Sequence, residues 1–307
     1  MVALLVTRLP DFTWSELVPE RNAGVFAWLT LAFCLTFAGI AFSTIRWKQV
    51  LRALDVPAPL DRLMSHYFAA QFVSNALPTT IGGDVVRVSR LSKENGEAPG
   101  TFASVVLERL TGWLVLPLIT FLGLALNPGL RDLDSATAVA VGVALATLLG
   151  LVGVLLLIGH QKLGGRLGGH QGWRRFASGV HYGVERLRHQ PRAALRILLA
   201  SFAYDFILVL SALAISQAIG IGEAAGLTAL LAFLPAVLIF QVLPLGIAGL
   251  GIREGAFVLF LRPLGVQPEQ AVALGLLMYL MNLLASLAGA PSFAFGRAKL
   301  HAEGAVA

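Results

Sequence analysis

Charge is what this chain has least of. Asp, Glu, Lys and Arg make up only 13% of its 307 residues, 57% are hydrophobic, and mean hydropathy is +0.78. Those values exclude an ordinary soluble domain. Asn22 to Ile45, Leu110 to Leu130, Ser135 to Gln161 and Ala271 to Gly296 contain none of the four charged types. Each exceeds the ~18 apolar residues that mark a membrane-spanning helix. Cysteine is nearly missing as well: Cys34 stands alone inside one of these runs, so no intramolecular disulfide can form. The six histidines have no spacing suited to a metal. No Ser-His-Asp set, catalytic carboxylate pair or nucleotide loop stands out, so neither enzymatic chemistry nor a cofactor is expected. Met1 to Leu9 has too short an apolar core for a signal peptide, and Arg8 interrupts it.

The charges that are present are unevenly placed. The net charge of +6 and pI near 10.0 could suit a nucleic-acid binder. Membrane proteins give a plainer account, since their cytoplasmic loops are rich in Lys and Arg, and no nucleic-acid partner is expected. Between His160 and Arg196 eight basic residues face a single acid, Glu185. That segment reads as a cytoplasmic linker over 160–192. Within it, Trp173, Phe176, Val180, Val184 and Leu187 recur at helical steps, predicting an amphipathic helix over 173–189 on an anionic lipid surface.

The fold class expected is all-α, a polytopic integral membrane protein. Full spans are predicted at 22–45, 101–127, 135–157, 193–219 and 268–295. The first ends at Arg46-Trp47-Lys48, which reads as an interfacial boundary. Two other regions are not ordinary spans. Leu77-Pro-Thr-Thr-Ile-Gly-Gly-Asp-Val-Val-Arg87 returns 166 residues later as Leu243-Pro-Leu-Gly-Ile-Ala-Gly-Leu-Gly-Ile-Arg253, with five of eleven positions identical. Proline and glycine break helices, and arginine is costly in hydrocarbon. The first region, 63–81 followed by 84–92, is interrupted by His66, Gln71, Asn75 and Pro78; the second, 224–262, by Pro235, Pro244 and glycines. If each enters and leaves on one side, the basic loops and the C-terminus fall in the cytoplasm. The copies are then opposed halves of an inverted repeat, 22–127 and 193–296, whose broken helices meet near the midplane.

Such breaks expose backbone N–H groups at helix N-termini, which attract phosphate. Gly82 and Gly83 precede Asp84, and Gly249 and Gly251 precede Arg253 and Glu254. Arg87 and Arg253 are positioned to bind phosphate oxygens. Asp84 can cap its helix or pair with Arg87 at i,i+3. Glu108 and Arg109, two turns into a span, can pair with motif residues or touch a ligand. Asp205 lies isolated in an apolar run and is a candidate proton carrier or arginine partner. Asn75, Gln241 and Asn282 can hydrogen-bond between helices.

These residues together resemble the lysylphosphatidylglycerol synthase transmembrane-region family of flippase-like membrane proteins. The resemblance rests on Arg46-Trp47 with Leu51, Asn75 through Arg87, Glu108-Arg109 with Gly112, and Leu243 through Glu254, and runs from about residue 25 onward. It implies lipid translocation in a bacterial inner membrane, with membrane lipids as partners and homo-oligomers possible. Synthase members add a soluble aminoacyltransferase domain after the membrane region; none follows here before Ala307, so lysyl transfer is not expected. Within the family reading, the substrate-binding set comprises Asn75, Pro78, Gly82, Gly83, Asp84, Arg87, Glu108, Arg109, Pro244, Gly249, Gly251, Arg253 and Glu254, with no metal site. The alternatives are an integral membrane enzyme or an accessory subunit of lipid or glycolipid biosynthesis.

Overall fold

A computed structural model of the chain describes residues 22–76, 81–159, 181–242 and 249–294. The described residues are helical apart from short turns. Nine principal helices follow in order: α1 (Ala23–Ala53), α2 (Leu60–Ala76), α3 (Ile81–Asn95), α4 (Ala98–Leu126), α5 (Asp134–Gly159), α6 (Pro191–Ala218), α7 (Leu227–Phe240), α8 (Ile252–Leu261) and α9 (Pro268–Ser286). Their starts are written locally. The Asn22 side chain accepts the Val25 N–H at 2.8 Å to cap α1, and proline opens the first turn of α4, α6 and α9, where its missing N–H costs nothing.

Five of these helices, α1, α4, α5, α6 and α9, are long and apolar enough to cross a membrane. Their outer faces are apolar too. On α4, Leu114, Leu118, Leu122 and Leu126 form an exposed stripe at four-residue steps; on α5, Leu145, Leu149, Val152 and Leu156 form another at steps of three and four. The other four helices have 17, 15, 14 and 10 residues. At 1.5 Å per residue that is about 15–25 Å, short of the ~30 Å hydrocarbon layer. They pack in pairs, α2 on α3 and α7 on α8, as two hairpins within the bundle.

The offset of 166 residues found in the motifs extends across the fold. It carries α1 onto α6, α2 onto α7, α3 onto α8 and α4 onto α9, leaving α5 as a connector. The packing obeys the same exchange: α4 on α7 answers α9 on α2, α4 on α6 answers α9 on α1, and α3 on α4 answers α8 on α9. The equivalent helices α1 and α6 run antiparallel. Thr36 Oγ1 meets Ser211 Oγ at 2.9 Å, Gly39 lies against Ile207, and the Arg46 guanidinium sits 4.7 Å over the Tyr204 ring. As numbers rise along α1 they fall along α6, so the repeat is inverted.

Glycines permit the crossings at equivalent places. A Cβ on Gly123 of α4 would come within 2.7 Å of the Leu231 backbone in α7, and one on Gly289 would overlap the Phe68 carbonyl in α2. Gly123 and Gly289 are themselves 166 positions apart.

Three boundaries differ from those read in the sequence. Helix α1 runs through Arg46-Trp47-Lys48 to Ala53, and Arg46 and Trp47 are buried rather than interfacial. Their partners on α4, unseen by composition, hold them there. Pro235 does not break the second region: α7 continues through it to Phe240. The proline removes one backbone bond, and packing of the surrounding buried residues against α4 offsets that loss. Helix α9 stops at Ser286, and a separate turn-linked helical piece covers 289–294. Of the amphipathic segment 173–189, residues before 181 lie outside the described residues. Its helical part rests on the bundle through Gly183, packed on Leu107, and Leu187.

Candidate functional site

The ends of the hairpin arms converge at the middle of the bundle. Between them lies a cavity of about 250 Å³, bordered by Ser74 and Asn75 of α2, Gly83 and Asp84 of α3, Leu238 of α7 and Arg253 of α8. A second space of about 160 Å³ adjoins it, sharing Tyr67, Gln71, Tyr204, Gln241, Arg253 and Asn282. Arg46 of α1, Glu108 and Arg109 of α4 and Asp205 of α6 complete the polar wall of the first.

The first repeat builds a chain of charges. Asp84 stands in the first turn of α3, which places Arg87 one turn later on the same face; Arg87 Nη2 donates to Asp84 Oδ1 at 2.7 Å. Arg87 Nη1 donates to Glu108 Oε2 across the gap to α4. Glu108 Oε1 accepts from Arg46 Nη2 at 2.9 Å and from the Tyr67 hydroxyl at 3.2 Å. At the other end Arg109 Nε donates to Asp84 Oδ2. Glu108 is 1% exposed and Arg87 4%. The Arg87 guanidinium also lies against two rings, 4.6 Å from that of Tyr67 and 5.0 Å from that of Trp47. Trp47 is fixed in turn by its Nε1 hydrogen bond to Ser104 Oγ at 2.9 Å. Removing one partner of such a buried pair costs about 3–5 kcal/mol.

In the second repeat the arrangement is shorter. Glu254 Oε1 accepts from Arg253 Nη2 at 2.7 Å and from Nε at 3.2 Å, while Oε2 accepts the Gly251 N–H at 2.5 Å. Gly251 has φ +87° and Gly249 φ +76°, backbone that side-chain-bearing residues rarely adopt. On α9, Gly275 makes room for the carboxylate: a Cβ there would stand 3.0 Å from Glu254 Oε1. The Tyr279 ring lies 5.6 Å from the Arg253 guanidinium.

Most of the residues singled out in the sequence meet here. Asn75, Gly83, Asp84, Arg87, Glu108, Arg109, Asp205 and Arg253 border the first cavity, and Glu254 lies behind Arg253. Gly82, Gly249 and Gly251 shape the helix starts without bordering it. Pro78 and Pro244 lie outside the described residues. Of the two readings of Asp84, pairing is the one present: its carboxylate oxygens accept from Arg87 and Arg109. One local expectation changes. The start of α8 is occupied by Glu254, so an anion there meets the protein's own carboxylate. The amides bridge helices: Asn75 Nδ2 donates to Ser286 Oγ at 2.9 Å and Gln71 Nε2 to Asn282 Oδ1 at 3.0 Å, both from α2 to α9.

Arg46, Trp47, Tyr67 and Tyr204 belong to the site although the sequence did not nominate them for it. Arg46 and Tyr204 carried a usable signal, an arginine at the end of an apolar run and a tyrosine beside the isolated Asp205.

The chain matches the family described as the lysylphosphatidylglycerol synthase transmembrane region over residues 1–289, starting earlier than residue 25. No curated protein matches it.

Proposed function

We propose that this chain, which belongs to the lysylphosphatidylglycerol synthase transmembrane-region family, is a lipid translocase of a bacterial inner membrane. Membership itself puts it among membrane proteins of lipid metabolism or translocation. On our reading an anionic phosphate headgroup enters the cavity bordered by the two hairpins, while the acyl chains stay in the bilayer, and the lipid changes leaflet without any bond being made or broken.

The observation that carries this reading is a cavity with four arginines on its wall, Arg46, Arg87, Arg109 and Arg253, deep in a bundle whose outer faces are leucine-rich. Arginine in hydrocarbon is expensive, and such groups gather where a polar cargo passes. The pairing divides their work. Arg87, held by two carboxylates and two rings, sets the shape of the wall. Arg253 borders both cavities with Glu254 as its carboxylate partner, and is the headgroup contact. The basic linker 160–192 and the C-terminus are assigned to the cytoplasm, with 173–189 against anionic lipid.

Lipid that co-purifies with the protein tests the contact. Wild-type protein should retain phospholipid by phosphate analysis, and the doubly neutral variant Arg253→Gln/Glu254→Gln, which leaves no unpaired charge, should lose most of it. Equal retention of anionic lipid by both would remove Arg253 from the site.

A further inference from the structure

Among the described residues, Asp205 is the one buried carboxylate at the cavity that no arginine bonds. It is the fifteenth residue of the 28-residue α6, at mid-helix, and is 5% exposed. Its Oδ2 has no hydrogen-bond partner among the described residues, and the same holds for Ser201 Oγ one turn earlier and for Arg46 Nε on α1. A buried ionised carboxylate without partners is costly, and a proton removes that cost.

The charge count of the whole wall gives this position a consequence. Four arginines border the cavity; Asp84, Glu108, Asp205 and Glu254 are the carboxylates at or behind it. With Asp205 ionised the set is neutral. With Asp205 protonated it carries a single positive charge, matching the single negative charge of a phosphodiester headgroup. The two states balanced in a low-dielectric interior are therefore empty with Asp205 ionised, and loaded with Asp205 protonated.

Resting on the translocase reading, we infer that Asp205 is a proton site that couples movement of an anionic phosphodiester lipid to uptake of one proton. Proton and lipid travel together, and the loaded cavity moves no net charge. The groups around Asp205 fit that role. α1 presents Arg46, α4 presents Glu108 and Arg109, α2 presents Tyr67, and Tyr204 is its neighbour. α3 adds Asp84 and Arg87, and α8 adds Arg253, whereas Gln241, just past the end of α7, and Asn282 of α9 do not titrate. All of the arginines hold their charge across the physiological range, and Asp84, Glu108 and Glu254 are each bonded to one. Asp205 is left as the carboxylate free to change state.

The test uses the full chain in proteoliposomes of phosphatidylcholine containing tail-labelled phosphatidylglycerol, with an internal pH dye. A one-unit pH gradient should drive label toward the alkaline side, up to about tenfold asymmetry between leaflets for one proton per lipid. The lumen should change pH in step, and a potassium–valinomycin potential should have little effect. Asp205→Asn should abolish the response to the gradient. If phosphatidylglycerol moves faster than in protein-free vesicles but ignores the pH gradient, or if Asp205→Asn responds as wild type does, the proton site is wrong and the translocase reading stands. If no phosphatidylglycerol moves at any pH, both fall. Should Asp205→Asn not fold, the proton movement measured with wild type decides alone.

Discussion

The two repeats have the same helices in the same packing and distribute their charges differently. Arg87 and Arg253 occupy equivalent positions, and so do Gly83 and Gly249, and Asn75 and Gln241. Around Arg87 the first repeat adds Asp84 on the same helix, Glu108 and Arg109 on α4, and Arg46 on α1. At the positions equivalent to Asp84, Glu108 and Arg109 the second repeat has Leu250, Leu274 and Gly275, and Arg253 takes its carboxylate from the next residue. One half ties three helices together through charge. The other keeps its arginine within a single helix start. Conversely the position equivalent to Asp205 is, in the first repeat, Gly39, which has no side chain. Twofold architecture thus supplies the hairpins and the cavity, while departures from it set the charges: a network across three helices in one half, a local pair and a carboxylate that no arginine bonds in the other.

Disabling each half should separate them. Glu108→Gln leaves both Arg46 and Arg87 without their shared carboxylate and should destabilise the protein by about 3–5 kcal/mol, read as a lower midpoint in detergent unfolding. Glu254→Gln removes the charge opposite Arg253 and leaves one amide oxygen for partners that now use two, and should fall at the lower end of the same range, about 3 kcal/mol. If Glu254→Gln proves the more damaging, the second repeat is the rigid one and the comparison is reversed. The equivalent glycines come next. Gly123→Ala and Gly289→Ala each press a methyl onto a neighbouring helix backbone and should cost about 1–3 kcal/mol, with similar losses at the two positions. A large loss at one and none at the other would mean that only one crossing is tight. The smallest effect belongs to the amides. Asn75→Ala, which removes the bond to Ser286, should cost about 1 kcal/mol.

Much of this was legible because breaking a membrane helix is rare. Paired Pro and Gly with arginine, at one spacing, located both hairpins, and the charge-free runs located five spans, although α1 runs on to Ala53 and α9 stops at Ser286. Arg46 was misplaced at an interface because an arginine ending an apolar run looks alike whether its partner is water or Glu108 sixty-two positions away. Asp84 was open to two readings because capping and pairing both need a carboxylate in the first turn, and only the position of Arg109 decides between them. The glycine crossings are invisible locally, since Gly123 and Gly289 sit in apolar runs where glycine has no distinctive pattern.

Leaflet exchange of phosphatidylglycerol in proteoliposomes tests the central proposal most directly, with the label in one leaflet followed by its loss of accessibility to a membrane-impermeant quencher. Wild-type protein should speed exchange well above protein-free vesicles, and Arg253→Gln/Glu254→Gln, folded and reconstituted to the same density, should return it to background. Exchange at the protein-free rate with the wild-type chain, or undiminished exchange with the double variant, would contradict the account.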